Sequence, residues 1–221
     1  MPTSFARREP FVTTPPAERA FDLRHLQLAR ALFAAVAAAM ITFSSDHSAV
    51  LGLSVFSGFA LATGLTLALS AWLVFPAGQR AVPVTLAAVS LAAGLVASVG
   101  AWRTTGMFFG VVITWAIVSG VIELVGALRD RKAGRTVGVR DGVLIGILGI
   151  VLGAVLLLTP MQYALDYSIT GAGSFTLTGI TIAVGLFGGY AAVVAVFLAI
   201  AGFSPRRTEP VPAVPSEEAA S

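Results

Sequence analysis

The sequence predicts an all-α, polytopic membrane protein of six transmembrane helices arranged as three similar helical hairpins. Three observations lead there: the composition, the number of long apolar stretches and the placing of basic residues between them. Of 221 residues, 57% are hydrophobic and 11% charged, with a positive mean hydropathy, a balance foreign to soluble domains. The isoelectric point near 10.0 raises the question of nucleic acid. The formal net charge is only +3, however, and the basic residues flank apolar runs, where they set topology and meet anionic headgroups. The expected partner is the lipid bilayer, not nucleic acid. No cysteine occurs, which excludes disulfides, thiolate metal ligands and cysteine nucleophiles.

A helix rising 1.5 Å per residue crosses roughly 30 Å of hydrocarbon in about 20 residues, with its backbone polar groups satisfied internally. Spans fall near 28–45, 49–75, 83–101, 105–128, 142–159 and 174–203, within a membrane domain of 26–203. The first is short and rich in alanine, and reaches across only if Arg30 snorkels toward the headgroups. A cleavable signal peptide is its rival reading, opposed by a long polar lead and the lack of a suitable cleavage site. The last is long enough to tilt. Residues 1–25 and 204–221 are the tails, rich over 1–20 and 204–221 in Pro, Thr, Ser, Glu and Ala, and are expected to be disordered and cytoplasmic.

Thirteen of the fourteen Lys and Arg residues lie on one side of this arrangement, among them Arg30, Arg80 and the cluster from Arg129 to Arg140. Arg103 stands alone on the other side, with Asp46, His47 and Asp166. The positive-inside bias therefore puts both termini in the cytoplasm.

The second hairpin repeats the first without gaps. Trp115-Ala-Ile-Val-Ser119-Gly120-Val-Ile-Glu123 aligns on Phe59-Ala-Leu-Ala-Thr63-Gly64-Leu-Thr-Leu67, while the third hairpin matches more loosely through Gly188, Gly189 and Tyr190. Small residues at a spacing of four allow the close backbone approach that holds helices together in lipid. On that ground Gly64, Ser119, Gly120, Gly149, Gly153, Gly185 and Gly189 are expected at helix contacts, within the chain or in a homo-oligomer. Helix starts are expected to be capped by Ser45-Asp46, Thr104-Thr105 and Ser174 on the outer side and by Asp141 on the inner side.

Glu123 is the single carboxylate well inside an apolar segment. A charge at mid-bilayer costs roughly 2.5–3.5 kcal/mol on insertion scales, so such a residue marks a site by default. Its helical neighbours Ser119, Gly120, Gly126 and Ala127 are small, which points it toward a helix contact or a narrow cavity. It lies about 9 Å of helix rise from Arg129, within reach of the interface, of the basic loop or of a basic residue of another hairpin. The readings are a structural anchor, a proton-linked or ligand-binding carboxylate, or exposure to lipid. Asp46 and His47, an acid and a histidine together on the outer side, could report pH, with capping as the plainer role. No metal-ligand spacing and no paired carboxylates appear, and Ser168 to Gly179 lacks the lysine of a phosphate loop and reads as a flexible loop and cap. No enzyme activity, cofactor, metal or soluble ligand is expected.

With Trp115-Ala-Ile-Val-Ser-Gly-Val-Ile-Glu-Leu, the basic turn Arg129-Asp-Arg, and Gly149-Ile-Val-Leu-Gly-Ala-Val-Leu-Leu-Leu-Thr-Pro160, the chain resembles the HdeD-like acid-resistance membrane proteins over residues 26–203. Thr159-Pro160 gives way to Ser44-Ser45 in the first span and Gly100-Ala101 in the third, and Glu123 has no acidic counterpart at Leu67. The resemblance implies a bacterial inner-membrane protein linked to stress or acid tolerance; with the lack of a catalytic constellation, the expected function is that of a non-catalytic multi-pass membrane protein of envelope or acid stress. A small transporter or channel component using Glu123 is the alternative.

Overall fold

A computed structural model describes residues 22–136, 138–171 and 173–204. Six helices are long and apolar enough to cross a membrane: α1 (Leu23–Thr42), α2 (Ala49–Leu73), α3 (Ala81–Ser98), α4 (Thr105–Lys132), α5 (Val139–Leu158) and α6 (Gly179–Phe203). The expected tails fall largely outside the described residues. The N-terminal tail ends sooner than residue 25, because the Asp22 side chain accepts a hydrogen bond from the backbone of Arg24 and His25 closes a capping box, which starts α1 early.

The stretch read as a flexible loop is a β-hairpin. β1 (Ala164–Ile169) pairs antiparallel with β2 (Gly173–Thr178), setting Asp166 opposite Thr176 and Tyr167 opposite Phe175. Alternating Leu165, Tyr167 and Ile169 favour an extended chain, and Gly171 and Gly173 at φ +86° and +103° turn it. Tyr167 and Phe175 stack at 5.8 Å. Residues 174–178 therefore belong to β2, α6 begins at Gly179, and its cap is Thr178 rather than Ser174. Ser48 caps α2 in place of Ser45-Asp46, and Thr104 caps α4 as its sequence suggests.

The helices form a closed ring. The most extensive contacts join α4 to α5, α1 to α6 and α2 to α3. The loop-sharing pairs α1–α2, α3–α4 and α5–α6, which the repeat presents as hairpins, meet less extensively. The tight pairs α2–α3 and α4–α5 are those connected at the end of the bundle that carries Arg80 and Arg129 to Arg140, here called the basic end; α1 starts and α6 finishes there too. Inside the ring, α2, α4 and α6 supply an aromatic core. Phe56 and Phe59 meet both Trp115 and Phe187 edge to face, with centroids 5.3–5.7 Å apart, and Tyr190 lies 6.0 Å from Trp115. These are the separations at which ring edges and faces attract. On the outside, leucine, valine and tryptophan side chains such as Leu65, Trp72, Val151 and Val196 stand exposed, as lipid contact demands.

Glycine sets the spacing of the tight pairs. A Cβ on Gly146 would come within 2.7 Å of the Leu124 backbone nitrogen and 2.8 Å of the Gly120 carbonyl oxygen. Gly120 and Gly149 face backbone of the partner helix in the same way, and Gly153 and Gly64 face Ile117 and Leu91. Gly185 and Gly189 do not serve this role. Both are exposed, with open space where a Cβ would go. The contacts of α6 run instead through Gly188 against Ile41 and Gly202 against Leu28. Spacing alone does not reveal which face of a uniformly apolar helix turns inward. Ser119, also expected at a contact, is buried and donates to the Trp115 carbonyl at 2.6 Å. Gly146→Ala should lower unfolding free energy by about 1–3 kcal/mol through forced helix separation, whereas Gly185→Ala should stay within about 0.5 kcal/mol of the parent. Denaturant unfolding of the two purified variants in detergent checks the contrast.

Candidate functional site

Arg30 and Glu123 form an ion pair inside the bundle. The two guanidinium nitrogens of Arg30 donate to the two carboxylate oxygens of Glu123 at 2.9 and 3.3 Å, the bidentate geometry that gives this pairing its strength. Their side chains are 15% and 11% exposed. This overturns the expectation that Arg30 snorkels to the headgroups. Of the partners within its reach, Glu123 thus takes a basic residue of another hairpin and not the basic loop, whose Arg135 pairs with Asp130. The reason is geometric. α1 begins at Leu23, so Arg30 lies two turns inside the helix on the face that looks across the ring toward α4.

In the ring order, α1 and α4 stand opposite one another, and they are not among its closely packed pairs. The ion pair thus joins two helices whose backbones do not meet closely. Beside it, Gln27 of α1 donates through Nε2 to Asp141 of α5. Asp141 is thereby a partner in an inter-helix contact rather than the cap of α5; that place is taken by Gly138, at φ +76°.

Two cavities flank the ion pair. A vestibule of about 280 Å³ opens at the basic end, with the exposed Gln79, Arg129 and Arg135 at its mouth and Leu26, Phe75 and Val82 in its walls. Deeper in lies a chamber of about 20 Å³, room for about one water molecule. Arg30, Glu123, Leu67, Leu86 and Leu198 line both and form the partition between them.

The chamber is built from three sets of side chains at one spacing. Phe59, Thr63 and Leu67 come from α2, Trp115, Ser119 and Glu123 from α4, and Tyr190, Val194 and Leu198 from α6. Glu123 thus occupies the position held by leucine in the two other helices. Ser90 of α3 also faces the chamber and accepts from Trp115 Nε1 at 3.2 Å. Thr63 Oγ1 is buried and has no hydrogen-bond partner among the described residues.

The outer pair is not drawn into this site. The Asp46 carboxylate accepts from the backbone nitrogen and hydroxyl of Ser48, each at 2.8 Å, a capping arrangement beside the start of α2, and His47 is half-buried next to it. Among the described residues no three His, Asp or Glu side chains gather as a metal site requires. Gln27, Thr63, Ser90 and Tyr190 carry no signal in the sequence that marks them as site residues. Thr63 and Tyr190 figured only as repeat positions, and each of the four is an ordinary polar interruption until the ring brings them together.

Fold and site together define a multi-pass membrane protein with a charged pair at its centre. No protein-family model matches the chain, and neither a curated protein nor a solved structure does.

Because each member of the pair neutralises the other, removing one leaves a buried charge. Arg30→Leu and Glu123→Leu should each lower stability by about 3–5 kcal/mol. The double variant, which puts leucine beside the Leu67, Leu86 and Leu198 already in the partition, should recover most of that loss. Unfolding of all four proteins in one detergent gives the comparison.

Proposed function

We propose that this chain is a non-catalytic membrane protein of the HdeD-like type, residing in a bacterial inner membrane with both termini cytoplasmic and serving envelope or acid stress tolerance. The observation that carries the non-catalytic part is the closed interior. The vestibule ends on the Arg30–Glu123 pair and three leucines, and edge-to-face aromatic rings fill the bundle beyond. A scaffold needs such a core, and its polar centre serves to fix α1 against α4. The stress association and the cellular location rest on the sequence resemblance and on the distribution of basic residues.

A second reading is a small transporter or channel component in which Glu123 is the proton-linked or ligand-binding carboxylate. The vestibule favours it, since an ion pair at the floor of an open cavity is reachable from one side. Reconstitution separates the two. Liposomes holding the purified protein should show no proton or solute flux under either gradient, and a deletion strain should lose tolerance to acid or envelope stress and regain it with the Arg30→Leu/Glu123→Leu variant. Flux abolished by Glu123→Gln would replace the first reading with the second.

A further inference from the structure

The vestibule is larger than an anchoring ion pair requires. At about 280 Å³ it approaches the lower bound of small-molecule sites, about 300 Å³. At its mouth Arg129 and Arg135 stand beside Asp130, and deeper in Arg30 faces Glu123 and Asp141, so the lining charges balance and the group offered to an anion is the guanidinium of Arg30. Its walls are apolar, with Phe75, Val82 and Leu86 between mouth and floor. The floor presents a guanidinium already holding a carboxylate in two-point geometry. Anionic head, apolar body and limited size together describe one ligand class.

We propose that the vestibule binds a small carboxylate with an apolar body, whose carboxylate group replaces Glu123 on Arg30 when Glu123 takes up a proton. The proposal rests on the second reading above only in giving Glu123 a ligand-linked role; it requires no flux.

The proton is needed because two carboxylates beside one guanidinium, in apolar surroundings, would leave one buried charge unpaired. The exchange balances: one proton from solution passes to the Glu123 carboxylate, one anion arrives at Arg30, Arg30 stays charged, and the net charge of the site is unchanged. The neutral carboxyl group then needs a hydrogen-bond partner. Thr63 Oγ1 meets that need. Thr63 is 5% exposed, its hydroxyl has no partner among the described residues, and it lines the inner chamber together with Glu123. The charged and titratable groups around Glu123 are Arg30 on α1, Tyr190 on α6 and, toward the mouth, Asp141 on α5. Toward the same place α2 and α3 present Thr63, Leu67, Leu86 and Ser90.

The test is calorimetric titration of benzoate into the full chain in lipid nanodiscs, at about pH 5.5 and about pH 7.5, in buffers of different ionisation heat. Affinity should rise as pH falls, by up to about tenfold per unit, with close to one proton taken up per anion. Glu123→Gln, a mimic of the neutral carboxyl, should bind benzoate at both pH values with affinities within about threefold of each other. The Arg30→Leu/Glu123→Leu variant should not bind it, and inorganic phosphate, which lacks an apolar body, should bind the parent at least about tenfold more weakly than benzoate. The proposal is overturned by pH-independent binding to the parent, by equal uptake into nanodiscs holding the double variant, by phosphate binding as tightly as benzoate, or by no binding to either the parent or Glu123→Gln at the lower pH. A failure in calorimetry leaves the flux experiment to decide the transport reading separately.

Discussion

An arginine and a glutamate face one another inside a bundle of six apolar helices, about two turns in from its basic end, and the rest of the bundle is arranged to keep both away from lipid. An unpaired charge in hydrocarbon costs several kcal/mol, so the pair has to be brought together before the helices around it are fully stable. It is brought together across the ring, from α1 to α4, where there is little direct helix contact. The glycine-lined contacts then have a complementary task. Those at Gly120, Gly146 and Gly149 hold α5 tightly against α4, and Gly188 and Gly202 hold α6 against α1. Each partner in the ion pair is thus carried on a helix that is itself clamped to a neighbour, and α2 and α3, clamped to each other, complete the ring.

The same constraint shapes the interior. Three helices contribute an aromatic residue, a small or branched residue and a third residue at identical spacing, and the third is leucine twice and glutamate once. A charged group introduced into an otherwise apolar layer demands an opposite charge at the facing position, which Arg30 supplies in place of a residue such as Leu86. The partition is tight: three leucines and one ion pair leave only about 20 Å³ behind them, against about 280 Å³ in front.

Much of the fold was legible in the sequence, because a membrane span is decided by local composition and length. All six helices overlap their expected ranges, and Glu123 stood out because nothing else in those ranges resembled it. What was not legible depends on three-dimensional closure. Arg30 read as the flank of a short span because its helix was expected to begin at about residue 28; the Asp22 capping box adds the turn that carries it inside. Spacing marks Gly185 and Gly189 as a contact face of α6, within the chain or in a homo-oligomer, whereas the contacts within the chain run through Gly188 and Gly202, which have the same small size. The β-hairpin was masked by its Gly, Ser and Thr content, which also suits a loop; the alternating Tyr167 and Phe175 carried the contrary signal. Thr63 and Tyr190 acquire meaning only beside Glu123, which no periodicity in one helix reveals.

The centre of this account is a contact between two named side chains, and it is open to direct measurement. Solid-state NMR on isotope-labelled protein in lipid bilayers can report dipolar coupling between guanidinium nitrogens and glutamate carboxyl carbons, with Arg30→Lys used to assign the signal. The account predicts a strong coupling between Arg30 and Glu123, as the nitrogen–oxygen separations of 2.9 and 3.3 Å require, and its loss in that variant. A Glu123 carboxyl coupled instead to arginines of the Arg129 to Arg140 loop, or to none, would contradict it.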